Sequence, residues 1–209
     1  MLSIRKLTAN IESIFRWFDA ERRLAYAALT KVISNTYYEK TIIELIDEVL
    51  DESGTVKDNA SEDLSRIRMN LFRKRNELRR MFDKVIAKLS KAGYSADIDE
   101  SFSNGRRVVA VHAEHKRQVK GILHGESDSR RTAFIEPEET IALNNDVFSL
   151  ENEERKEVQR ILKQLTASLN IYSELIKIYF NIIGEFDFVR AKAKLAIAMN
   201  AAKPNVESE

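Results

Sequence analysis

Apolar side chains recur every three or four positions over the first fifty residues, which is the spacing of helices that bury one face. The pattern predicts three short helices, at residues 4–18, 24–32 and 42–50. The polar stretch around Gly54 then interrupts the pattern and predicts a connecting loop. We expect residues 1–60 to pack as a small bundle, the helical core part, with Trp17 in its interior.

A seven-residue repeat marks the next segment, residues 61–97, as one long helix. One apolar row is fully spaced by seven and a second is interrupted by lysines; the positions are Leu64, Leu71, Leu78 and Val85 in the first row and Ile67, Lys74, Met81 and Lys88 in the second. Ser61 is a favourable N-cap, and Gly93 is expected to end the helix. Such a pattern is typical of a helix that packs along one partner over much of its length.

From residue 98 to residue 136 the pattern changes to short β-branched runs. Strands are predicted at 106–113, 118–125 and 132–137, and the Asn104-Gly105 pair before the first of them is a strong turn signal. This segment is therefore predicted to be a small β-rich unit.

Helical periodicity resumes at Pro137, which suits a first helical position. A second heptad row, Val158, Leu165, Tyr172 and Tyr179, predicts a helix over residues 137–184 that is unbroken until Gly184. A last helix and a polar tail are expected in residues 185–209. The predicted fold is mainly α with a small β insertion: a helical bundle plus two long antiparallel helices with the β-rich unit at their tip.

Composition adds mainly exclusions. The chain has 34 Lys and Arg against 33 Asp and Glu, so net charge indicates no class of partner, and it has no cysteine. No signal peptide or membrane-spanning run is visible, which favours a cytoplasmic protein without membrane contact. Its glycines do not match the phosphate-binding loop G-x-x-x-x-G-K-[ST]. We therefore expect no ATP hydrolysis, no enzyme activity and no bound cofactor in this chain.

Three stretches carry a specific resemblance to a known family. They are KDNASEDLSRIR, NGRRVVAVHAEHKRQVKGILHGESDSRRTAFIEPEETIALNND and EFDFVRAKAKLAIAMN, and the FIEP segment running into a helix with Asn144 and Asn145 is the most distinctive part. In order and spacing they resemble the MutS family of ATPases, above all its second bacterial branch, which is associated with recombination control and stalled ribosomes. The resemblance spans nearly the whole chain.

This resemblance implies an assignment for each segment. The chain would be the core, lever and clamp portion, with residues 61–97 as the outgoing lever helix, 98–136 as the clamp and 137–184 as the returning lever helix. An excised portion of a longer protein is favoured, and a natural remnant is the alternative. ATP and Mg²⁺ would belong to an ATPase domain outside this sequence, and the intact protein would be a homodimer that binds DNA or ribosomal RNA. The family's small-residue stretch, of the form Ser-Gly-Ala-Thr, corresponds here to residues 128–132 and contains arginines instead.

Basic side chains in the β-rich unit are the candidate nucleic-acid-binding residues, because Lys and Arg supply most of the affinity for phosphates. They are Arg106, Arg107, Lys116, Arg117, Lys120, Arg130 and Arg131. The alternative is a solvated loop whose charges only maintain solubility. Strand alternation places Arg106 and Arg107 on opposite faces, so not all seven are expected to act together.

The outgoing helix is also basic, whereas the returning helix opens with an acidic stretch at residues 151–157. Pairing between the two helices is the simpler explanation, and a track along nucleic acid is the other.

The three histidines do not have a metal-binding spacing, so no metal site is expected. Glu136, Glu138 and Glu139 are explained by the dipole at a helix start.

A second function is also compatible with the sequence. Phe72 and Phe82 lie off the main heptad row, and if both stay uncovered the chain would be a helical protein-interaction or dimerisation module without nucleic-acid contact. Salt dependence separates the two functions, because only phosphate binding weakens steeply as salt rises.

Overall fold

The computed structural model describes residues 1–202, and of residues 97–99 it describes the backbone alone. Two compact units make up the chain: one is Met1–Lys57 with Leu162–Glu209, and the other is Asp58–Ile161. The prediction of a mainly helical chain with a small β insertion is confirmed. Each unit has its own buried side chains and is described separately.

The first unit is an all-helical bundle. Its helices are α1 (Leu2–Trp17), α2 (Ala20–Ala25), α3 (Ala27–Ile33), α4 (Thr41–Val49), the last residues of α6 (Glu138–Asn170) and α7 (Ser173–Ala198). Helix α1 packs against both α4 and α7. Ile11, Ile42 and Ile46 are completely buried there, as the three-and-four spacing of their helices predicts.

Tyr179 fixes one contact of this bundle. Its ring is fully buried, its hydroxyl donates to the carbonyl oxygen of Tyr37 at 2.8 Å, and the same hydroxyl accepts from the backbone N–H of Glu39 at 2.8 Å. Loss of hydration raises the pKa of Tyr179 to about 12. One side chain thereby satisfies two backbone groups in the turn before α4.

Two sequence expectations for this unit are wrong. The second predicted helix is split at Tyr26 into α2 and α3, and Leu24 of its apolar face is 84% exposed. Trp17 is 44% exposed and not in the interior; it packs against Tyr26 and beneath the guanidinium of Arg22. Its neighbour Phe18 occupies the buried position instead.

Helix α5 (Glu62–Lys91) begins and ends in the second unit as the sequence predicts. The hydroxyl of Ser61 accepts from the N–H of Leu64 at 3.0 Å, which is an N-cap. Gly93 follows the helix with φ +75°, a left-handed conformation that glycine adopts without penalty.

The apolar row of α5 differs from the prediction in its second half. Leu64, Leu71, Leu78 and Val85 are buried as expected, but the other buried positions are Phe82 and Leu89. These lie one residue beyond the predicted Met81 and Lys88. A straight helix turns every 3.6 residues, so a second row drifts away from a strict spacing of seven.

The sheet of this unit has four antiparallel strands: β1 (Ser95–Ser103), β2 (Arg106–His112), β3 (Gly121–Glu126) and β4 (Thr132–Pro137). Their order is β1-β2-β4-β3. Only the last three were predicted; β1 lacks the β-branched run that identifies β2 in the sequence. Gly121 permits close approach of β3 to β4, because a Cβ there would lie 2.1 Å from the carbonyl oxygen of Glu136.

One face of the sheet packs on the two long helices. Val109, Val111, Ala133 and Ile135 from β2 and β4 form a cluster with buried residues of α5 and with Val147 of α6. Strand alternation brings these four side chains to one face. This cluster is the hydrophobic core of the unit.

The helix predicted after Pro137 begins at Glu138 as expected, but it is neither unbroken nor ended by Gly184. Pro137 is the last residue of β4, and the chain turns at Ile171 and Tyr172 between α6 and α7. There Tyr172 N–H bonds to the carbonyl of Leu169, three residues back, which replaces the α-helical pattern. Gly184 lies inside α7 and does not end it.

No helix in the part of the chain that the structure describes is long and apolar enough to cross a membrane. The division into lever and clamp segments stays a prediction. The strand at Ser95, however, begins three residues before the predicted boundary of the β-rich unit.

Candidate nucleic-acid interface

The seven predicted cationic residues fall into two groups. Arg106, Arg107 and Lys116 form ion pairs with carboxylates of the same unit. The side chains of Arg117, Lys120, Arg130 and Arg131 have no carboxylate within ion-pair distance among the side chains that the structure describes, and all four residues are exposed. Three of the seven cations are therefore neutralised within the unit, and the other four are free to bind an external anion.

Arg106 belongs to a buried polar network. Its guanidinium donates to Oε1 of Glu136 at 2.8 Å and to Oδ1 of Asn145 at 2.6 Å. The Glu136 side chain has no solvent exposure, so its charge requires this partner. Arg106 is thus held at the junction of β2, β4 and α6.

The remaining members of this network are His124 and Asn144. His124 Nε2 lies 2.7 Å from Oε2 of Glu136. Asn144 donates from Nδ2 to Oε1 of Glu136 at 3.0 Å and to the carbonyl oxygen of Arg107 at 3.0 Å. Its own Oδ1 accepts from the N–H of Arg107 at 3.2 Å. Helix α6 is therefore attached to the start of β2 through one amide.

Arg107 points to the other side of β2, as strand alternation predicts. Its guanidinium pairs with Glu100 of β1 at 2.5 Å and lies 5.0 Å from the ring centroid of Phe82. The ring is completely buried, so this cation–π contact anchors the arginine stem over the core. The guanidinium of Arg107 is thus engaged by Glu100 and Phe82 within the unit.

Lys116 pairs with Glu126 at 2.5 Å, and its ammonium lowers the pKa of that carboxyl. This contact joins the segment after β2 to the end of β3. The ammonium stays partly exposed, yet its charge is already balanced.

The loop between β3 and β4 carries Arg130 and Arg131 on an ordered turn. The N–H of Arg130 donates to the carbonyl of Ser127 at 2.8 Å, and the N–H of Thr132 donates to the Ser127 hydroxyl at 3.1 Å. Arg130 has φ +55°, a left-handed conformation that costs an L-residue energy. The turn thus holds two exposed arginines at one end of the sheet.

Sequence reasoning missed the role of Glu136. The sequence pattern explains its charge by the dipole at a helix start, whereas in the structure it is a buried residue of β4 bonded to three side chains. The paired asparagines were singled out as distinctive, but their partners could not be known. The only sequence signal was a charged residue between the apolar Ile135 and Pro137 of a predicted strand.

Helices α5 and α6 pair through opposite charges, as the simpler explanation proposed. Within this unit the pairs run antiparallel: Arg68–Glu154 at 2.7 Å, Arg75–Glu151 at 2.7 Å, Lys74–Asp146 at 2.9 Å and Lys88–Glu139 at 3.8 Å. The basic character of α5 is therefore partly used inside the unit. This favours pairing over a continuous track for nucleic acid.

Glu157 of α6 makes a further contact between the two helices, at the N-terminus of α5. It accepts from the guanidinium of Arg160 and from the hydroxyl of Ser61, the latter at 2.7 Å. These hydrogen bonds, first Arg160 and then Ser61, lower its pKa to about 2. The N-cap of α5 is thereby joined to α6.

Comparison with known proteins gives a consistent result, although no protein-family model matches the chain. The chain is similar to proteins named Endonuclease MutS2 from Carboxydothermus hydrogenoformans, at 32% identity over 88% of this chain and 24% of the relative, and from Listeria monocytogenes, at 36% over 80% and 21%. The likeness to the protein of that name from Levilactobacillus brevis is 31% over 97% and 25%.

The chain spans about a quarter of the length of these relatives. The matched stretches cover 88%, 80% and 97% of this chain, respectively. This chain therefore belongs to the MutS2-type family, of which it covers a partial segment.

Proposed function

We propose that this chain is the non-catalytic core, lever and clamp segment of a MutS2-type protein, and that it binds nucleic-acid phosphates through exposed cations in the loops around its four-stranded sheet. In this proposal α5 and α6 are the lever helices and the sheet is the clamp. Arg117, Lys120, Arg130 and Arg131 are the contacting cations. Arg106, Arg107 and Lys116 hold the sheet in shape.

One observation carries the proposal: four exposed cations lie near a sheet whose other cations are neutralised within the unit. Balanced side chains add little to a phosphate interface, whereas free ones release counterions when they bind. Each bound phosphate steepens the salt dependence by about 0.9 in the logarithmic slope for duplex DNA, so four contacts give a slope of about −3.6.

The polar network supports the lever function. Asn144 and Asn145 of α6 bond directly to β2 and its side chains. A displacement of the sheet is therefore transmitted to α6 without an intervening flexible loop. In the intact protein this helix would couple the clamp to an ATPase domain, with two subunits enclosing DNA or a ribosomal RNA surface; ATP hydrolysis itself is not expected from this chain.

Titration of the chain with duplex DNA and with a structured RNA at two salt concentrations tests the phosphate interface. The variant Arg117→Glu/Arg131→Glu should lose at least tenfold in affinity at low salt, because two phosphate contacts become repulsive. Lys163→Glu/Lys194→Glu is the matched control, since it changes net charge equally at exposed positions of the other unit. Equal loss in both variants would mean that only total charge matters.

A protein-interaction function is supported by a different surface. Met69 is 70% exposed and Phe72 is 69% exposed, one turn apart on α5, while Phe82, expected to be uncovered as well, is buried. Binding of a partner helix there would resist salt. A complex that survives high salt but is lost in Met69→Lys/Phe72→Lys would favour this second function.

A further inference from the structure

A small pocket lies beside the sheet, where the end of α5, the start of β3 and the first turn of α6 meet. Its volume is about 200 Å³, below the roughly 300–1,000 Å³ of sites that hold larger small molecules. An occupant therefore has the size of one planar ring system. The residues that matter for its chemistry are Lys88, Leu89, Tyr94, Gln118, Lys120 and Glu139.

The floor of the pocket is apolar and one wall is aromatic. Leu89 is 8% exposed and belongs to the hydrophobic core of the unit, and Tyr94 packs against the same core. The ring of Tyr94 is held by His115, with 4.6 Å between the centroids and 31° between the planes. An aromatic side chain fixed in this way offers a low-entropy surface on which a flat ligand can stack.

The rim provides both kinds of hydrogen-bonding group. The amide oxygen of Gln118 lies 3.1 Å from Nδ1 of His115, which leaves its NH₂ group to donate. Glu139 is about half exposed and makes a long ion pair with Lys88 at 3.8 Å. A carboxylate accepts hydrogen bonds only, so it selects a ligand with N–H groups on its edge.

Two lysines stand at the same pocket. Lys120 is exposed and has no ion-pair partner among the described side chains, and Lys88 is restrained only by its long pair with Glu139. An apolar floor, a stacking wall, an acceptor, a donor and two ammonium groups together match a nucleotide better than an isolated phosphate or an apolar molecule.

From this geometry we infer that the pocket binds one unpaired nucleobase that carries an exocyclic amino group, with Lys88 and Lys120 at its phosphate. The inference rests on the proposed function and deepens it, because it adds recognition of an unstacked base to binding of the backbone. Guanine fits best, since its N1–H and N2–H₂ can both donate to the Glu139 carboxylate. Thymine and uracil lack the amino group and are disfavoured.

The test compares three duplexes of one sequence: fully paired, with one bulged guanine, and with one bulged thymine; a matched RNA set carries uracil. Wild-type protein should bind the bulged guanine about tenfold more tightly than the bulged thymine, the discrimination that one such bidentate contact gives. Bulged 2-aminopurine, which carries an amino group, should change its fluorescence on binding as it leaves solvent and stacks.

Glu139→Gln is the informative variant, since it keeps size and removes the double acceptor. The guanine-to-thymine ratio should fall to about one. Glu138→Gln is its matched control: this neighbouring carboxylate does not line the pocket, and the ratio should stay near ten.

The outcomes separate this inference from the proposed function. Equal wild-type affinity for all three duplexes, or a ratio that persists in Glu139→Gln, overturns the base site while the phosphate interface stands. Absence of binding to every DNA and RNA at low salt overturns both.

Discussion

At the scale of single residues, the network around Glu136 shows how a charge can be kept away from water. The carboxylate is fully buried, and Arg106, His124 and Asn144 occupy its two oxygens. A buried ion pair contributes little net stability, but removal of one partner leaves the other charge uncompensated. The network is therefore a strong constraint on which substitutions the unit tolerates.

Arg106→Ala should destabilise the chain by about 3 kcal/mol, because it leaves Glu136 buried without its counter-charge. Denaturant unfolding followed by circular dichroism measures this. Arg117→Ala, an exposed cation of the same unit, should change stability by less than about 0.5 kcal/mol. Similar small effects of both substitutions would contradict the structural role of Arg106.

Arg130, unlike Arg106, is expected to lower the stability of the fold. Its φ of +55° costs an L-residue about 1 kcal/mol, which glycine does not pay. Arg130→Gly should raise the melting temperature and at the same time weaken nucleic-acid binding, reducing the salt slope by about one. Lower stability together with unchanged affinity would refute both roles.

The sequence predicts those features of the site that depend on neighbouring residues, and not those that depend on contacts between residues far apart in the chain. Exposure of Arg117 follows from a polar segment between two predicted strands, whereas Lys120 lies inside the predicted strand 118–125 and its exposure does not follow from the sequence. The partners of Arg106 lie 30 and 39 residues away, and no local pattern encodes such a contact. For the same reason the sequence does not separate Arg106 and Arg107, which pair with carboxylates, from the other five candidate cations.

At the scale of elements, a local signal predicts a helix limit where a hydrogen bond or a backbone conformation enforces it. Ser61 and Gly93 mark the limits of α5 through hydrogen bonding and left-handed backbone, both local effects. Gly184 failed as a stop signal because a helix tolerates one glycine at a cost of about 1 kcal/mol when its neighbours favour the helix. Strand β1 has no local signature and is defined by its pairing with β2.

Gly184→Ala should therefore stabilise the first unit by about 0.5–1 kcal/mol. The position is helical and exposed, and an added Cβ meets nothing within 4 Å. Gly93→Ala is the contrasting variant, because it also meets no atom but has φ +75°; it should destabilise. Thermal melts of both variants compare the two backbone conformations directly.

The junction between α5 and α6 should depend on acid pH. The pKa of Glu157 is lowered from 4.5 in its ordinary state to about 2, so its contribution is present above pH 4.5 and disappears as pH falls towards 2. The stability difference between wild type and Glu157→Gln should accordingly be largest at neutral pH and vanish near pH 2.

At the scale of the whole molecule, charge balance conceals an uneven distribution. The chain has 34 basic and 33 acidic residues, yet helix pairing and the polar network neutralise many of these within the second unit. Exposed cations without a carboxylate partner among the described side chains remain both around the sheet and on α5, where they include Arg79, Arg80 and Lys84. An exposed apolar pair, Met69 and Phe72, also lies on α5. The fold class and the relationship to the family followed from sequence, whereas the sorting of these charges required coordinates.

The placement of the sheet within the chain has a consequence for how the second unit folds. Strands β1 to β4 lie in one stretch, Ser95–Pro137, between the two long helices, and they pair across short turns. A pairing of α5 with α6 made before the sheet must close that whole stretch as a loop, and the entropy lost grows with its length. Hairpins that form early shorten the effective loop, so we expect the sheet to form before α5 and α6 pair. Substitutions that weaken the contact of β3 with β4, such as Gly121→Ala, should therefore slow the docking of α5 on α6.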